Sequence, residues 1–195
     1  PAGNVPSNAS SHCPSKSQSW TLNKLSNMKI YTYNVRGIAE DHRLDQLLME
    51  LNNIDWHIVG ISETHRKGEN LLKLKVSNHL FYHKGREDKK RSGVGFLVNK
   101  NIAGNIIRFD SISDRIAWIV VRLSKRYTLK IIQDYAPTSK SSDQEIEEFY
   151  DDISKIMDRE KTNYTMIIGD LNAKVCKGKP GEASVGRYSI GQRNE

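Results

Sequence analysis

The feature that most constrains the fold is a series of short apolar segments, rich in β-branched and aromatic residues, that are bounded by turn-forming residues. Each segment has the length and composition of a strand in a globular sheet. The segments are residues 29–35, 57–62, 80–83, 93–99, 115–123, 127–135 and 164–170. Because two helical patterns interrupt them, we predict an α/β protein of the α+β type, a two-sheet β-sandwich flanked by helices.

Two segments have the periodicity of amphipathic helices. In residues 44–51 leucine recurs at i, i+3, i+4 and i+7, which places the leucines on one helix face. A second helix is predicted from about Asp143 to Glu160 and is strongly acidic. The three residues 124–126 separate two predicted strands and are few enough to form an antiparallel hairpin.

The length of 195 residues suits one domain with an appendage. Residues 1–27 are rich in Ser, Asn and Pro and contain no acidic residue, which is typical of a disordered tail. We therefore expect the domain to occupy residues 28–195.

Charge and cysteine content limit the class of partner and the compartment. The 30 Lys and Arg residues exceed the 23 Asp and Glu residues, and the net charge of +7 favours an anionic partner. The longest apolar run, residues 116–121, is far shorter than the ~18 residues of a membrane span. Cys13 and Cys176 are the only cysteines and form no C-x-x-C motif or Cys/His cluster, so we expect neither a disulfide framework nor a structural zinc site. We expect no membrane partner and a location in the nucleus or cytoplasm.

Three predicted strands end in side chains that carry oxygen. Asn34 ends the first, Glu63 follows the second, and Asp170 with Asn172 ends the last. Taken singly, such residues usually form turns or solvated loops. If the strand ends lie at one rim, the set of carboxylates and amides suits Mg²⁺, with Mn²⁺ as an alternative cation.

Four motifs, in order along the chain, carry a resemblance to a known family. They are Tyr33–Gly37, Ser62–His65, Tyr135–Thr138 and Ile168–Ala173. They resemble the motifs of the endonuclease/exonuclease/phosphatase superfamily, whose members share the fold of pancreatic deoxyribonuclease. Glu-Thr-His, Tyr-Ala-Pro-Thr and Gly-Asp-Leu-Asn-Ala are most similar to endonucleases of non-LTR retrotransposons, and residues 187–195 resemble their craniofacial development protein relatives.

The resemblance implies a deoxyribonuclease-like fold and a metal-dependent DNA endonuclease that leaves a 3′-hydroxyl. Glu63 would bind the metal, with Asn34 nearby holding metal and phosphate. Tyr135 would donate a hydrogen bond to the scissile phosphate. Asp170 would orient or deprotonate the attacking water, and Asn172 would fix the phosphate.

Basic residues near these motifs are candidates for contacts with DNA. Lys89, Lys90 and Arg91 are the best candidates for backbone contacts, which give position and not sequence information. Arg36 lies within the first motif and His65 within the second, although each of these residues also fits a structural or solvated role. We expect a monomer, with a reverse transcriptase domain in cis or in trans as a further partner.

One family motif is missing, and one residue is unusual. The superfamily carries a late Ser-Asp-His, which this sequence does not contain, so we expect a C-terminally truncated domain whose nuclease activity is impaired and which could associate through an unpaired sheet edge. Asp134 stands where an apolar residue is expected before the tyrosine. Two alternatives remain, a noncatalytic nucleic-acid-binding remnant and a phosphoesterase that acts on another phosphate ester.

Overall fold

The computed structural model describes residues 27–88, 92–159, 161–173, 176, 178, 181 and 182. The strands in this part of the chain are β1 (Ile30–Asn34), β2 (Ile58–Ser62), β3 (Glu69–Lys73), β4 (Leu80–Lys84), β5 (Val94–Val98), β6 (Ile106–Ser113), β7 (Ile116–Arg122), β8 (Thr128–Tyr135) and β9 (Tyr164–Asp170). The helices are α1 (Asp41–Leu51) and α2 (Asp143–Arg159), with a short 3-10 helix at Ala103–Asn105. The expected tail, apart from Asn27, lies outside the described residues, as does most of the chain after Ala173.

The strands form two mixed sheets. The first has the order β1-β2-β5-β4-β3 and the second the order β6-β7-β8-β9. Most neighbours are antiparallel, including the predicted β7–β8 hairpin. The pairs β1–β2 and β8–β9 are parallel. Since parallel strands end at the same edge, each sheet brings two carboxyl-terminal strand ends together.

Three apolar clusters hold the layers. Between the sheets, residues such as Ile58, Phe96 and Ile131 are fully buried. On the outer face of the first sheet, Leu44 and Leu51 of α1 are buried with residues of β2, β4 and β5. On the outer face of the second sheet, Phe149, Ile153 and Ile156 of α2 are buried with Trp118 and Ile132. The prediction of a two-sheet sandwich flanked by helices is confirmed.

The sequence reading missed two strands, β3 and β6. Both are edge strands, and most of their side chains are exposed or half-buried. A strand of this kind need not carry a run of apolar residues, so composition alone does not identify it. The other strand ends and the helix bounds agree with the prediction to within two or three residues. None of the helices in the described residues is long and apolar enough to cross a membrane.

Candidate active site

Four strand ends meet at one rim of the sandwich. In the first sheet Asn34, at the end of β1, is in register with Ser62, the residue before Glu63. In the second sheet Tyr135, at the end of β8, is in register with Asp170, at the end of β9. A hydrogen bond from Asn34 to Asp170 joins the two edges. The parallel pairing within each sheet and this hydrogen bond therefore bring the four strand ends together at one rim.

The side-chain amide of Asn34 joins two carboxylates. Its Nδ2 donates to Glu63 Oε1 at 2.6 Å and to Asp170 Oδ2 at 3.1 Å. Its Oδ1 accepts the backbone N–H of Arg36 at 3.0 Å, which fixes the orientation of the amide. One amide therefore links the two carboxylates, although they come from different sheets.

The backbone around the rim turns sharply. Arg36, Glu63, His65 and Asn172 all have φ between +47° and +57°, the left-handed region that residues other than glycine rarely occupy. Each such residue costs on the order of 1 kcal/mol, and strain of this kind clusters at functional sites. The turns aim the side chains that follow β1, β2 and β9 into the rim.

His65 packs close beneath this rim. Its Nε2 lies 3.6 Å from Glu63 Oε2, and the side chains of both residues are 21% exposed. Gly37, with φ of +106°, leaves room for the ring, because a Cβ there would lie 2.7 Å from His65 Nδ1. His65 is thus beside Glu63, whereas Arg36 is exposed on the turn that follows β1.

Tyr135 borders the site with a neutral hydroxyl. Burial raises its pKa, and the nearby carboxylates of Glu63 and Asp170 raise it further, while Arg115 opposes them. Raising the pKa of a phenol keeps its proton in place, so the hydroxyl remains a hydrogen-bond donor. Arg115 lies over the Tyr135 ring, with its Cζ 5.6 Å from the ring centroid.

Asn172 ties the turn after β9 to β8. Its backbone N–H donates to Asp170 Oδ1 at 3.1 Å, and its Nδ2 donates to the Ala136 carbonyl at 2.7 Å. The Ala136 N–H donates to the Asp170 carbonyl at 2.9 Å. The Asp170 carboxylate is therefore held by Asn172 on one side and by Asn34 on the other.

Asp134 is the unexpected group at this end of β8. It is fully buried, and neither carboxylate oxygen has a hydrogen-bond partner within the described residues. Burial, reinforced by the charge of Asp170, raises the pKa of Asp134 to about 7. It packs over Gly169, where a Cβ would lie 1.9 Å from its Oδ1.

The structure thus brings Asn34, Glu63, Tyr135, Asp170 and Asn172 to one rim and leaves part of the predicted DNA surface undescribed. Lys89, Lys90 and Arg91 lie outside the described residues. Sequence reasoning did not single out Arg115, since only the register of β6 to β8 shows that it adjoins the tyrosine. Among the described residues, no three His, Cys, Asp or Glu side chains form a metal-binding cluster.

Comparisons with known proteins identify the family and the fold. The family model described as "Endonuclease/Exonuclease/phosphatase family" matches residues 31–182. Craniofacial development protein 2 of Bos taurus is 36% identical over 169 residues, which cover 85% of this chain. The chain spans only 27% of the length of that relative.

Two solved structures share the fold. D. rerio TDP2, complexed with single strand DNA product, has a TM-score of 0.55 at 17% identity, over 76% of this chain and 62% of that chain. An AP endonuclease from Leishmania major has a TM-score of 0.54 at 11% identity, over 74% of this chain and 55% of that chain. Both the family match and the bovine relative span most of this chain. The chain belongs to the endonuclease/exonuclease/phosphatase family.

Proposed function

We propose that the chain is a metal-dependent DNA endonuclease domain, which hydrolyses a phosphodiester and leaves a 3′-hydroxyl. The observation that carries the proposal is the Asn34 amide, which joins the Glu63 and Asp170 carboxylates at the rim. Two solved relatives of the same fold, named as an AP endonuclease and as a complex with a DNA product, support DNA as the substrate class.

The residues at the rim fit a hard divalent cation. Mg²⁺ is usually held by one or two carboxylates and leaves its other positions to water and to phosphate oxygens. Glu63 is the proposed protein ligand, and Asn34 orients it. Mn²⁺, which accepts the same oxygen ligands, would replace Mg²⁺. When bound, the cation offsets the negative charge that develops on the phosphoryl oxygens.

The remaining rim residues have distinct proposed roles in hydrolysis. Asp170 orients the attacking water and accepts its proton, because its carboxylate is fixed by Asn34 and by the Asn172 backbone. Tyr135 donates a hydrogen bond from its neutral hydroxyl to the scissile phosphate. Asn172 holds the turn that places Asp170 opposite the phosphate. Preorganised groups of this kind stabilise the charge that grows in the transition state.

The proposed DNA surface extends from the rim over its basic neighbours. Arg36 is exposed beside Asn34, and His65 adjoins Glu63. Lys89, Lys90 and Arg91 are proposed to contact the phosphate backbone. The net charge of +7 supports a partner that is a polyanion.

The amino-acid sequences of the motifs support a narrower proposal about the origin of the domain and its partners. Glu-Thr-His, Tyr-Ala-Pro-Thr and Gly-Asp-Leu-Asn-Ala favour derivation from a non-LTR retrotransposon, in which a 3′-hydroxyl would prime a reverse transcriptase in cis or in trans. Such a domain works in the nucleus or cytoplasm. We propose a monomer that self-associates at high concentration through β9, the last strand of its sheet among the described residues.

Plasmid nicking tests the proposed function. Supercoiled DNA is incubated with the chain in Mg²⁺, and the rate is compared with those of Glu63→Gln and Asp170→Asn. Each variant is expected to lose on the order of 100-fold or more in rate. Glu50→Gln and Asp151→Asn, exposed acids on α1 and α2, are matched controls and should nick at the wild-type rate. Near-full activity in Glu63→Gln would refute the assignment.

A further inference from the structure

We infer that the end of the sandwich opposite the rim binds a single-stranded polynucleotide, through two exposed tyrosines and the basic side chains beside them. The five residues, here called the tyrosine patch, are Arg122, Lys125, Arg126, Tyr127 and Tyr164. They lie at the end of β7, in the turn to β8 and at the start of β9, whereas the rim is formed where β8 and β9 end. The patch is therefore a surface separate from the proposed active site.

The two tyrosine rings of the patch are neighbours, and each is about half exposed. Tyr127 is 48% exposed and Tyr164 is 54% exposed. Their ring centroids are 6.1 Å apart, and their ring planes are tilted by 41°. Because the rings are not stacked flat on each other, each keeps aromatic surface for an unpaired base. Bases stack on such side chains with little dependence on sequence, since every base has an aromatic face.

Hydrogen bonds hold the two segments that carry the tyrosines. The Ser124 N–H donates to the Tyr127 carbonyl at 3.2 Å, and the Tyr127 N–H donates to Ser124 Oγ at 3.1 Å. The Thr128 N–H donates to Oδ1 of Asn163 at 2.9 Å, and Asn163 directly precedes Tyr164. The turn before β8 is thus joined to the segment before β9. A ligand that stacks on both rings finds them in place, which reduces the entropy lost on binding.

The basic side chains of the patch are available for phosphate contacts. Arg122, Lys125 and Arg126 are exposed, and none of them forms an ion pair with another residue that the structure describes. Residues 122–129 contain no acidic residue. Cations that follow a phosphate backbone beside aromatic rings that stack on bases are the combination found in surfaces that bind single strands.

Other polyanions fit this surface less well. The bases of a duplex are paired and stacked inside the helix, so a duplex offers phosphates to the patch but no base faces. Proteins that bind anionic membranes at the interface usually do so through an amphipathic helix with an apolar face. The patch lies on strand ends and a short turn instead. RNA and DNA strands share the chemistry that it recognises.

Binding of short labelled single strands tests the role of the rings. Oligouridylate and oligothymidylate of about twelve nucleotides are followed by anisotropy in EDTA, so the result does not depend on nuclease activity. Tyr127→Ala is expected to weaken binding about tenfold. Tyr127→Phe keeps the ring and should bind as the wild type does. Tyr127→Leu keeps an apolar side chain without a ring and should lose as much as Tyr127→Ala, which excludes unfolding as the cause.

The salt dependence of the same binding tests the role of the charges. Each phosphate contact with a single strand contributes about 0.7 to the slope of log affinity against log salt. Lys125→Ala with Arg126→Ala should therefore lower the slope by about 1.4. Lys73→Ala with Lys75→Ala is the matched control, because both lysines are exposed at or just after the end of β3, in the other sheet. The control should keep the wild-type slope.

Photocrosslinking locates the bound strand. Oligomers that contain 4-thiouridine or 4-thiothymidine should crosslink to peptides that contain Tyr127 or Tyr164, and the oligomer that binds more tightly identifies the strand as RNA or DNA. Crosslinks confined to peptides of the rim, such as the one with Tyr135, would overturn the inference. Wild-type affinity in Tyr127→Leu, or an unchanged salt slope in Lys125→Ala with Arg126→Ala, would also overturn it. So would binding to phosphatidylserine vesicles by a chain that binds neither oligomer.

Discussion

The side-chain amide of Asn34 donates a 2.6 Å hydrogen bond to the carboxylate of Glu63, from the end of β1 to the residue that follows β2. The same amide reaches a carboxylate of the other sheet, Asp170, at 3.1 Å. One neutral side chain thus keeps two like charges at a fixed separation across the sandwich. Without it, the two carboxylates would repel each other unless a cation lay between them.

Asn34→Ala should make stability depend on divalent cations. Without the amide, repulsion between Glu63 and Asp170 in EDTA is expected to lower the melting temperature by a few degrees, and Mg²⁺ should recover much of the loss. Thermal melting in EDTA and in Mg²⁺ measures this difference. Asn53→Ala, on the exposed turn after α1, should show no such dependence. An equal drop in melting temperature in EDTA and in Mg²⁺ would mean that Asn34 stabilises the protein only through packing.

Asp134→Val should stabilise the protein, and the gain should grow as the pH rises. The pKa of Asp134 in the folded protein is about 7, well above the ordinary value of 3.8. Between these values the folded state binds more protons than the unfolded state, so the free energy of unfolding falls as the pH rises. Above pH 7 the full penalty, on the order of 4 kcal/mol, is present.

Melting curves from pH 4 to pH 8 measure this effect. Asp134→Asn should also flatten the pH dependence, because the amide has the same shape as the carboxylic acid and does not ionise. Asp151→Asn, on the exposed face of α2, should follow the wild-type curve. A wild-type protein whose stability rises between pH 5 and pH 7 relative to Asp134→Asn would contradict the assigned direction.

Gly60→Ala should destabilise the contact between the sheets beneath the site. A Cβ at Gly60 would lie 1.9 Å from Gln133 Oε1 and 2.9 Å from Ile168 Cδ1. Overpacking of this kind costs about 1–3 kcal/mol. Gln133 also contacts Thr32 of β1, with 3.2 Å between Oε1 and Thr32 Oγ1, so the collision disturbs the junction of the two sheets.

A double variant identifies the cause of that loss. Gln133→Ala combined with Gly60→Ala removes the nearest clash and leaves the flexible end of Ile168, which can move. Urea unfolding should show that the double variant is less destabilised than the sum of the two single variants. Strict additivity would show that the loss comes from the backbone conformation at residue 60 and not from the clash with Gln133.

Ile167→Lys should reduce self-association. Among the described strands β9 is the last of its sheet, and Ile167 on it is 42% exposed. Where no further strand covers it, a strand edge with apolar side chains pairs readily with a second chain, and lysine opposes that pairing. Sedimentation at increasing concentration should show association of the wild type and a monomeric variant. Ile54 is exposed in the segment that follows α1, and Ile54→Lys serves as the control.

Lys89, Lys90 and Arg91 are expected to contribute jointly to DNA affinity. Their replacement by alanine should lower the salt slope, since each phosphate contact releases counterions. Lys73→Ala with Lys75→Ala, at or just after the end of β3, is the comparison. A triple variant with the wild-type slope would remove these three residues from the DNA surface.

The sequence predicts a two-sheet sandwich, seven of the nine strands that the structure describes, and the residues that end strands at the rim. Asn34, Glu63 and Asp170 were identified because oxygen-bearing side chains follow strands that are otherwise apolar. Two strands, β3 and β6, were missed because edge strands expose their side chains and need no apolar run. Arg115 was missed because its position beside Tyr135 depends on a register across strands, which local periodicity does not reveal.

Asp134 shows what a local sequence pattern does not predict. In the sequence, Asp134 is a polar residue at a position before Tyr135 where an apolar residue is expected. Its burial and its closeness to Asp170 follow only from the pairing of β8 with β9. A local pattern can indicate which face of a strand is buried. It does not indicate which charge on the neighbouring strand lies close to that face.

Titration with Mn²⁺, followed by electron paramagnetic resonance, tests most directly whether Glu63 holds a divalent cation at the rim. The account predicts one Mn²⁺ per chain, displaced by Mg²⁺, and loss of this binding in Glu63→Gln but not in Glu50→Gln. Absence of stoichiometric binding to the wild-type chain, or unchanged binding in Glu63→Gln, would contradict it.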